Sequence, residues 1–151
     1  MAIFDAMFEL SDDQDISQAA GTVASTNIID WTQADLEMGA GEPLWLNVRI
    51  GTEVDSGTDT GTLVVALCHD TVAPIDSSST VIYQTAAIAE TAMAAGDWIL
   101  RMPLPYNVDE GRITGLLYTI GGETTDTGTI DAWIDHGPQS SFDTQVSASN
   151  I

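Results

Sequence analysis

The sequence predicts an all-β fold, a jelly-roll-like antiparallel β-sandwich with an N-terminal arm. The first observation is that small or apolar residues alternate with polar ones in Ile113–Gly121 and again in Thr129–His136, the pattern of strands with one buried face. The second is that Leu44–Val54 and Thr62–Asp70 have the same form. The third is that roughly seven or eight short strands can be placed along the chain, separated by Gly, Asp, Ser and Thr.

Each of these two strand pairs is predicted to form a β-hairpin. Nearly the same six residues lead into the second strand of each pair, TDTGTL at 58–63 and TDTGTI at 125–130. Asp and Gly tolerate the left-handed backbone of tight turns, so the repeat is interpreted as a shared turn and not as a duplicated unit. Side chains repeat every second residue along a strand, which places three rows on core-facing sides: Leu116, Tyr118 and Ile120; Ile130, Ala132 and Ile134; and Leu44, Leu46, Val48 and Ile50.

The remaining strands are shorter or less regular. Thr22–Trp31 is rich in β-branched residues, and apolar residues alternate again from Trp98 until Pro103 and Pro105 end the strand or place it at a sheet edge. Thr80–Ala89 is predicted to be a strand, although its alanines and Glu90–Ala95 could instead form a short helix. No second domain is indicated, so residues 21–151 are assigned to a single β-sandwich domain.

Residues 1–20 are predicted to form the arm. Phe4, Phe8 and Leu10 are apolar at near-helical spacing, but an acidic segment follows at once and limits any helix to two or three turns. Two interpretations stay open: the arm covers its own domain, or it docks on a neighbouring subunit, since termini are loose unless something holds them.

The charge balance excludes several classes of partner. The chain of 151 residues has 23 Asp and Glu against three basic residues, a net charge of −20. These three are Arg49, Arg101 and Arg112, and lysine is absent. Because nucleic-acid binding depends on cations that displace counterions from phosphates, neither nucleic acid nor an anionic membrane is expected to be a partner. A solvated acidic surface is favoured over one that attracts a basic partner or bound cations.

The sequence also bears on membrane insertion, secretion and disulfide formation. No apolar run approaches the ~20 residues that span a bilayer, and MAIFDAMFEL contains Asp5 and Glu9 but no basic residue, so neither a membrane span nor a secretory signal is expected. Cys68 is the only cysteine. We expect it to be a small buried residue, with stability coming from packing and not from an intrachain disulfide.

Three patterns suggest catalytic or metal chemistry, and in each a plainer interpretation is favoured. The Asp-Thr-Gly triplets at 59–61 and 126–128 match the triplet of aspartic proteases, but they lie in polar loops and too close in sequence for two lobes. His69 and His136, each beside an aspartate at a strand end, lack the clustered H-x-H of a cupin metal site. The acidic segments Asp12–Asp15 and Asp55–Asp59 do not fit EF-hand spacing. We therefore predict no catalytic residue, no cofactor and no metal ligand.

Three tryptophans are candidates for an interface. Trp45 and Trp133 fall on the strand faces opposite the apolar rows, and Trp98 begins a strand. Together with Phe4, Phe8 and Leu10 they form the predicted interface set, and we expect self-association through a sheet face or edge. An alternative is that the tryptophans stack on sugar rings in a carbohydrate-binding module of a phage or cell surface.

Three segments taken together resemble one protein family. FDAMFELSDDQDISQAAGTVASTNIIDW, GEPLWLNVRI and GRITGLLYTIGGETTDTGTIDAWID are similar, in order and spacing, to the Bbp16-type capsid cement proteins of tailed bacteriophages. The resemblance implies a nonenzymatic jelly-roll protein, often dimeric, on the outer surface of an icosahedral capsid, where it binds the major capsid protein and clamps neighbouring capsomers. A homodimer or other homo-oligomer is expected on the same basis. The family has no catalytic residues to carry over.

Overall fold

Two antiparallel sheets make up the protein in this computed structural model, which describes residues 6–32 and 43–136. The ten strands are β1 (Glu9–Asp15), β2 (Gly21–Ala24), β3 (Ile29–Asp30), β4 (Leu44–Ile50), β5 (Thr62–Asp70), β6 (Thr80–Gln84), β7 (Ile88–Ala89), β8 (Trp98–Pro103), β9 (Ile113–Gly121) and β10 (Thr129–His136). Short 3-10 helices cover Ala6–Phe8 and Glu90–Ala92.

The strand order is that of a jelly roll. The four-stranded sheet runs β1-β10-β4-β8, and the six-stranded sheet runs β2-β9-β5-β6, with β3 added to β9 and β7 to β5. Several sequence neighbours, such as β4 and β5 or β9 and β10, are therefore divided between the sheets, and the first strand lies beside the last. This arrangement confirms the predicted all-β sandwich and its jelly-roll topology.

The two predicted hairpins are wrong. β9 pairs with β5, Gly121 opposite Thr62, whereas β10 pairs with β4 in the other sheet, Ile130 opposite Ile50. β4 and β5 are separated between the sheets in the same way. Alternation shows that a strand has a buried face, but it does not identify the partner strand. Segments 51–61 and 122–128 connect the strands in question, and each is long enough to cross the ~10 Å between stacked sheets.

The core lies between the sheets, where the predicted rows meet. Leu46, Val48 and Ile50 of β4 face Leu116, Tyr118 and Ile120 of β9, and all are at most 2% exposed. The Ile130, Ala132 and Ile134 row of β10 is buried beside them. The predicted buried faces are thus confirmed: the residues that the two-residue period placed toward the core are buried, although the strands pair with other partners than predicted.

The arm assignment needs correction from Glu9 onward. Glu9–Asp15 forms β1 against β10, with Glu9 opposite Trp133, and Leu10 is fully buried in the core. The sequence did not indicate this strand because its pairing contains two irregularities and all of its residues but Leu10 are polar. Phe4 lies outside the described residues.

Two other predicted strands are broken in the structure. Thr22–Trp31 contains β2 and β3, separated by a segment in which Ser25 caps the backbone of β9: its Oγ accepts the Leu116 N–H at 3.0 Å. Thr80–Ala89 contains β6 and β7, and the 3-10 helix Glu90–Ala92 follows. The predicted strand is therefore present in two pieces, and of the alternative helix only this single 3-10 turn is formed.

A smaller apolar cluster lies on the outer side of the six-stranded sheet. Ala66, Cys68 and Leu117 are covered there by Ile75 from the β5–β6 connection, with Ile28 packed against them. Cys68 is fully buried, as predicted, and burial raises the pKa of its thiol to about 11. A buried thiol that stays protonated is a poor nucleophile, so Cys68 contributes to packing.

Candidate functional site

The outer face of the four-stranded sheet collects an unusual set of side chains. Cross-strand register places Trp133 of β10 beside Asn47 of β4, and Asn47 beside Arg101 of β8. The neighbouring row runs Asp131, Arg49 and Trp98 across the same strands. Side chains in adjacent cross-strand positions are close enough to interact. We call the surface formed by Trp45, Asn47, Arg49, Trp98, Arg101 and Trp133 the Trp–Arg face.

Aromatic and cationic groups are in direct contact at its centre. The ring centroids of Trp98 and Trp133 are 5.8 Å apart with the rings tilted by 56°, within the range of favourable aromatic pairs. The Arg101 guanidinium carbon lies 4.5 Å from the centroid of the Trp98 ring, a cation–π contact. These contacts hold large side chains in fixed positions, which lowers the entropy that a partner must overcome on binding.

An ion pair fixes the second arginine of the face. Arg49 Nη2 lies 3.1 Å from Asp131 Oδ2, and the other oxygen of Asp131 accepts the Asp13 N–H from β1 at 2.9 Å. Asp131 therefore connects three strands, β1, β10 and β4. With the Arg49 side chain 43% exposed, this pair orients the guanidinium more than it stabilises the fold.

The concentration of these residue types on one face is the unusual feature. The chain has four tryptophans and three basic residues, and the face contains all but Trp31 and Arg112. Trp31 lies at the other sheet, where its Nε1 donates to Thr114 Oγ1 at 2.7 Å, and Arg112 pairs with Asp30 at 2.8 Å. Tryptophan and arginine are the residues most enriched at the centres of protein interfaces.

The predicted interface residues separate into two groups. Trp45, Trp98 and Trp133 are brought together on the Trp–Arg face, where Trp133 is 8% exposed and the other two are half-buried. Phe8 is half-buried against the core, and Leu10 is inside it, so Leu10 is not available to a partner in this fold. Arg49 and Arg101 were not among the predicted interface residues. Their alternation with core leucines in LWLNVRI and WILRMP was the signal that could have placed them there.

The two Asp-Thr-Gly triplets lie at the same end of the sandwich. Their loops are joined where the Asp126 N–H donates to the Asp55 carbonyl oxygen at 2.7 Å. Asp59 has a left-handed backbone with φ of 56°, which fits the turn interpretation. Asp59 and Asp126 are both exposed, whereas a protease dyad needs a hydrophobic cleft.

Glu90 is the one buried carboxylate at this end within the described residues. It accepts the Gly61 N–H at 2.8 Å and the Ser56 N–H at 3.3 Å. Hydrogen bonds from the Ser56 side chain and from these backbone N–H groups lower its pKa, against the opposing effect of burial. This carboxylate anchors the 55–61 loop to the sandwich.

The candidate metal ligands are not assembled into a site within the described part of the chain. No group of three or more His, Cys, Asp or Glu side chains there is arranged to hold an ion. His69 lies at the end of β5, and the side chain of His136 is not described. The Asp12–Asp15 segment belongs to β1, where the Asp13 N–H donates to Asp131 Oδ1 and Asp15 Oδ1 accepts the Ser17 N–H.

No helix in segments 6–32 and 43–136 has the length and apolar character needed to cross a membrane.

Comparison with known proteins gives one family assignment. No curated protein matches the sequence. The model of the Bbp16 family matches residues 10–134, a range that begins inside β1, ends inside β10 and includes every residue of the Trp–Arg face. The chain therefore belongs to the Bbp16 family.

Proposed function

We propose that this protein is a nonenzymatic cement protein that binds the outer surface of an icosahedral phage head and stabilises contacts between capsomers. The observation that carries the proposal is the Trp–Arg face. It places three tryptophans and two of the three basic residues of a chain with net charge −20 on one sheet surface. The major capsid protein is the proposed partner, in keeping with the role implied by the Bbp16 resemblance.

The chemistry of the face favours a protein partner. Sugar binding needs an open aromatic face on which a ring can stack, but Trp133 is 8% exposed and Arg101 occupies one side of Trp98. A protein interface instead benefits from aromatic groups that are already packed and from exposed arginine side chains such as Arg101. The acidic remainder of the surface suits a location outside the shell, away from packaged nucleic acid.

The proposal is tested by locating the protein and then by altering the face. The full chain should co-purify with intact virions and appear outside the capsid in a cryo-EM map. Trp98→Ala and Arg101→Ala should each weaken retention on shells by about tenfold or more, the size expected for central interface residues. Tyr106→Ala is the matched control, because Tyr106 is 92% exposed and lies in the β8–β9 connection.

Two results would contradict the proposal. The first is recovery of the protein only from soluble lysate. The second is equal retention of the Trp98, Arg101 and Tyr106 variants, measured on shells with variants whose melting temperatures match the parent. Binding to purified polysaccharide, lost in Trp98→Ala, would favour the carbohydrate-binding alternative instead. Sedimentation of the free protein would show whether it is the proposed homodimer.

A further inference from the structure

The four outermost strands of the two sheets differ in how they are protected from pairing with another chain. β1 has Asp12, Asp13 and Asp15 and two pairing irregularities, and β8 contains Arg101 and Pro103. Charges, proline and bulges are the devices that block edge-to-edge pairing. β2 is four residues long and begins with glycine, so it offers little length for pairing.

β6 lacks most of these devices. Its sequence, Thr80-Val81-Ile82-Tyr83-Gln84, has no charge, no proline and no glycine, and β-branched and aromatic residues dominate it. One register shift opposite Leu67 and Cys68 is its only irregularity. Among the described strands, β6 pairs on one side alone, with β5. Within residues 6–32 and 43–136 it is therefore an edge strand that no other strand covers, and it has strong strand propensity.

The side chains of β6 are exposed to an unusual degree for their type. Val81 is 47% exposed and Tyr83 is 38% exposed, while Ile82 packs inward against the core. Val81 is opposite Cys68 of the outer cluster, whereas the register shift sets Tyr83 opposite the core residue Leu67. Both side chains are exposed at this edge, where an added strand would place its own side chains beside them.

The backbone of the edge is also oriented for pairing. The Thr85 N–H donates to the Val65 carbonyl oxygen at 3.0 Å. In an antiparallel ladder successive residues point their N–H and C=O groups to opposite sides. The N–H and C=O of Gln84 therefore face away from β5, toward the open edge.

Charge at the Thr80 end of β6 indicates which kind of strand would fit. Asp70 and Asp76 flank that end, tied through Ser79: Ser79 Oγ donates to Asp70 Oδ2 at 2.8 Å and accepts the Asp76 N–H at 3.0 Å. The pKa of Asp70 is lowered chiefly by the hydrogen bond from the Ser79 side chain. The pKa of Asp76 is lowered chiefly by the hydrogen bond from the Ser78 side chain. Both carboxylates are therefore charged at neutral pH.

The same charge argues against a second copy of this chain on β6. Pairing two copies there would bring two chains of net charge −20 together and set the same carboxylates near each other. A segment that contains lysine or arginine would instead gain from Asp70 and Asp76.

We propose that β6 is a docking edge that accepts an extended segment of a different protein as an added strand, with apolar side chains beside Val81 and Tyr83 and a basic residue near Asp76. Main-chain hydrogen bonds would supply affinity, and the alternate side chains and the basic residue would supply selectivity. This site is on the six-stranded sheet, whereas the Trp–Arg face is on the other, and it does not depend on the capsid proposal.

The test uses the full chain and two synthetic peptides of about eight residues, a usual strand length. In the first, threonine alternates with valine or isoleucine and lysine stands at both ends; in the second, glutamate replaces the lysines. Hydrogen exchange of the Val81–Gln84 amides is measured with and without peptide. At ten times its Kd, the lysine peptide should slow this exchange about tenfold, and the glutamate peptide at the same concentration should slow it less.

Matched variants assign the effect to the edge. Tyr83→Lys places a like charge beside the peptide and should abolish the protection, whereas Tyr106→Lys makes the same substitution at an exposed tyrosine outside β6 and should retain it. Val81→Lys serves as a second edge variant if Tyr83→Lys fails to fold.

Three outcomes would overturn the inference. One is no slowing of β6 exchange by the lysine peptide, and another is equal slowing in the edge variants and in Tyr106→Lys. The third is protection of β6 that grows with protein concentration without peptide, accompanied by a dimer that Tyr83→Lys dissociates. That result would identify the occupant as a second copy.

Discussion

Replacing Leu10 by alanine tests whether β1 belongs to the core. Leu10 is fully buried in the main apolar cluster, so the substitution removes its transfer free energy and leaves a cavity. Buried Leu→Ala changes cost about 2–5 kcal/mol. In a domain of this size each kcal/mol lowers the melting temperature by about 2–4 °C, and a middle value of about 3 kcal/mol therefore predicts a drop of roughly 6–12 °C.

The assay is thermal unfolding followed by circular dichroism, with Asp12→Ala as the control. Asp12 is on the same strand but exposed, and surface substitutions usually change the unfolding free energy by less than about 0.5 kcal/mol. If Leu10→Ala melts within a degree or two of Asp12→Ala, β1 is not part of the cooperative core and the arm interpretation regains support for residues 9–15. Removing residues 1–10 should, by the same reasoning, destabilise the domain and not leave it unchanged.

Two further predictions concern buried polar groups. Tyr118→Phe deletes the hydroxyl that lies 2.8 Å from Ser11 Oγ and should lower the unfolding free energy by about 1–2 kcal/mol; denaturant titration showing no change would mean that the bond adds no net stability. Because folding lowers the pKa of Glu90, its ionised form contributes stability that is present above the unfolded pKa and lost as pH falls through the folded one. The melting-temperature difference between the parent and Glu90→Gln should therefore narrow as pH falls below the ordinary value of 4.5. A difference that stays constant across the acid range would contradict this role.

The sequence predicted the long strands well because each has an apolar row that faces the core. β5 and β9 match the predicted ranges Thr62–Asp70 and Ile113–Gly121, and β10 matches Thr129–His136. Strand period is a local property, so it can be seen without knowing the fold. Pairing is not local. β10 pairs with β4 through residues that are 130 − 50 = 80 to 136 − 44 = 92 positions apart in the chain, and alternation contains no signal for that register.

β1 and the Trp–Arg face were harder to predict for different reasons. In β1, Leu10 and Ser11 are buried while most of the remaining side chains are exposed, so its composition resembles a polar connection. The face depends on the sheet order, because Trp98 meets Trp133 only after β4 has been placed between β8 and β10. Strand parity alone places Trp45, Trp133 and the two arginines opposite core residues, but Trp98 reaches the same face only through the register shift between Val48 and Arg49.

The pairing of β1 with β10 has a consequence for how the chain folds during synthesis. Glu9 leaves the ribosome long before its partner Trp133 exists, a separation of 133 − 9 = 124 residues, or roughly 6–25 s at about 5–20 residues per second. During that interval the inner strand β4 also lacks its β10 neighbour, so the four-stranded sheet cannot close. Long-range pairings of this kind slow folding. We therefore expect the four-stranded sheet, and with it the Trp–Arg face, to assemble as the last step of folding, once β10 has been made.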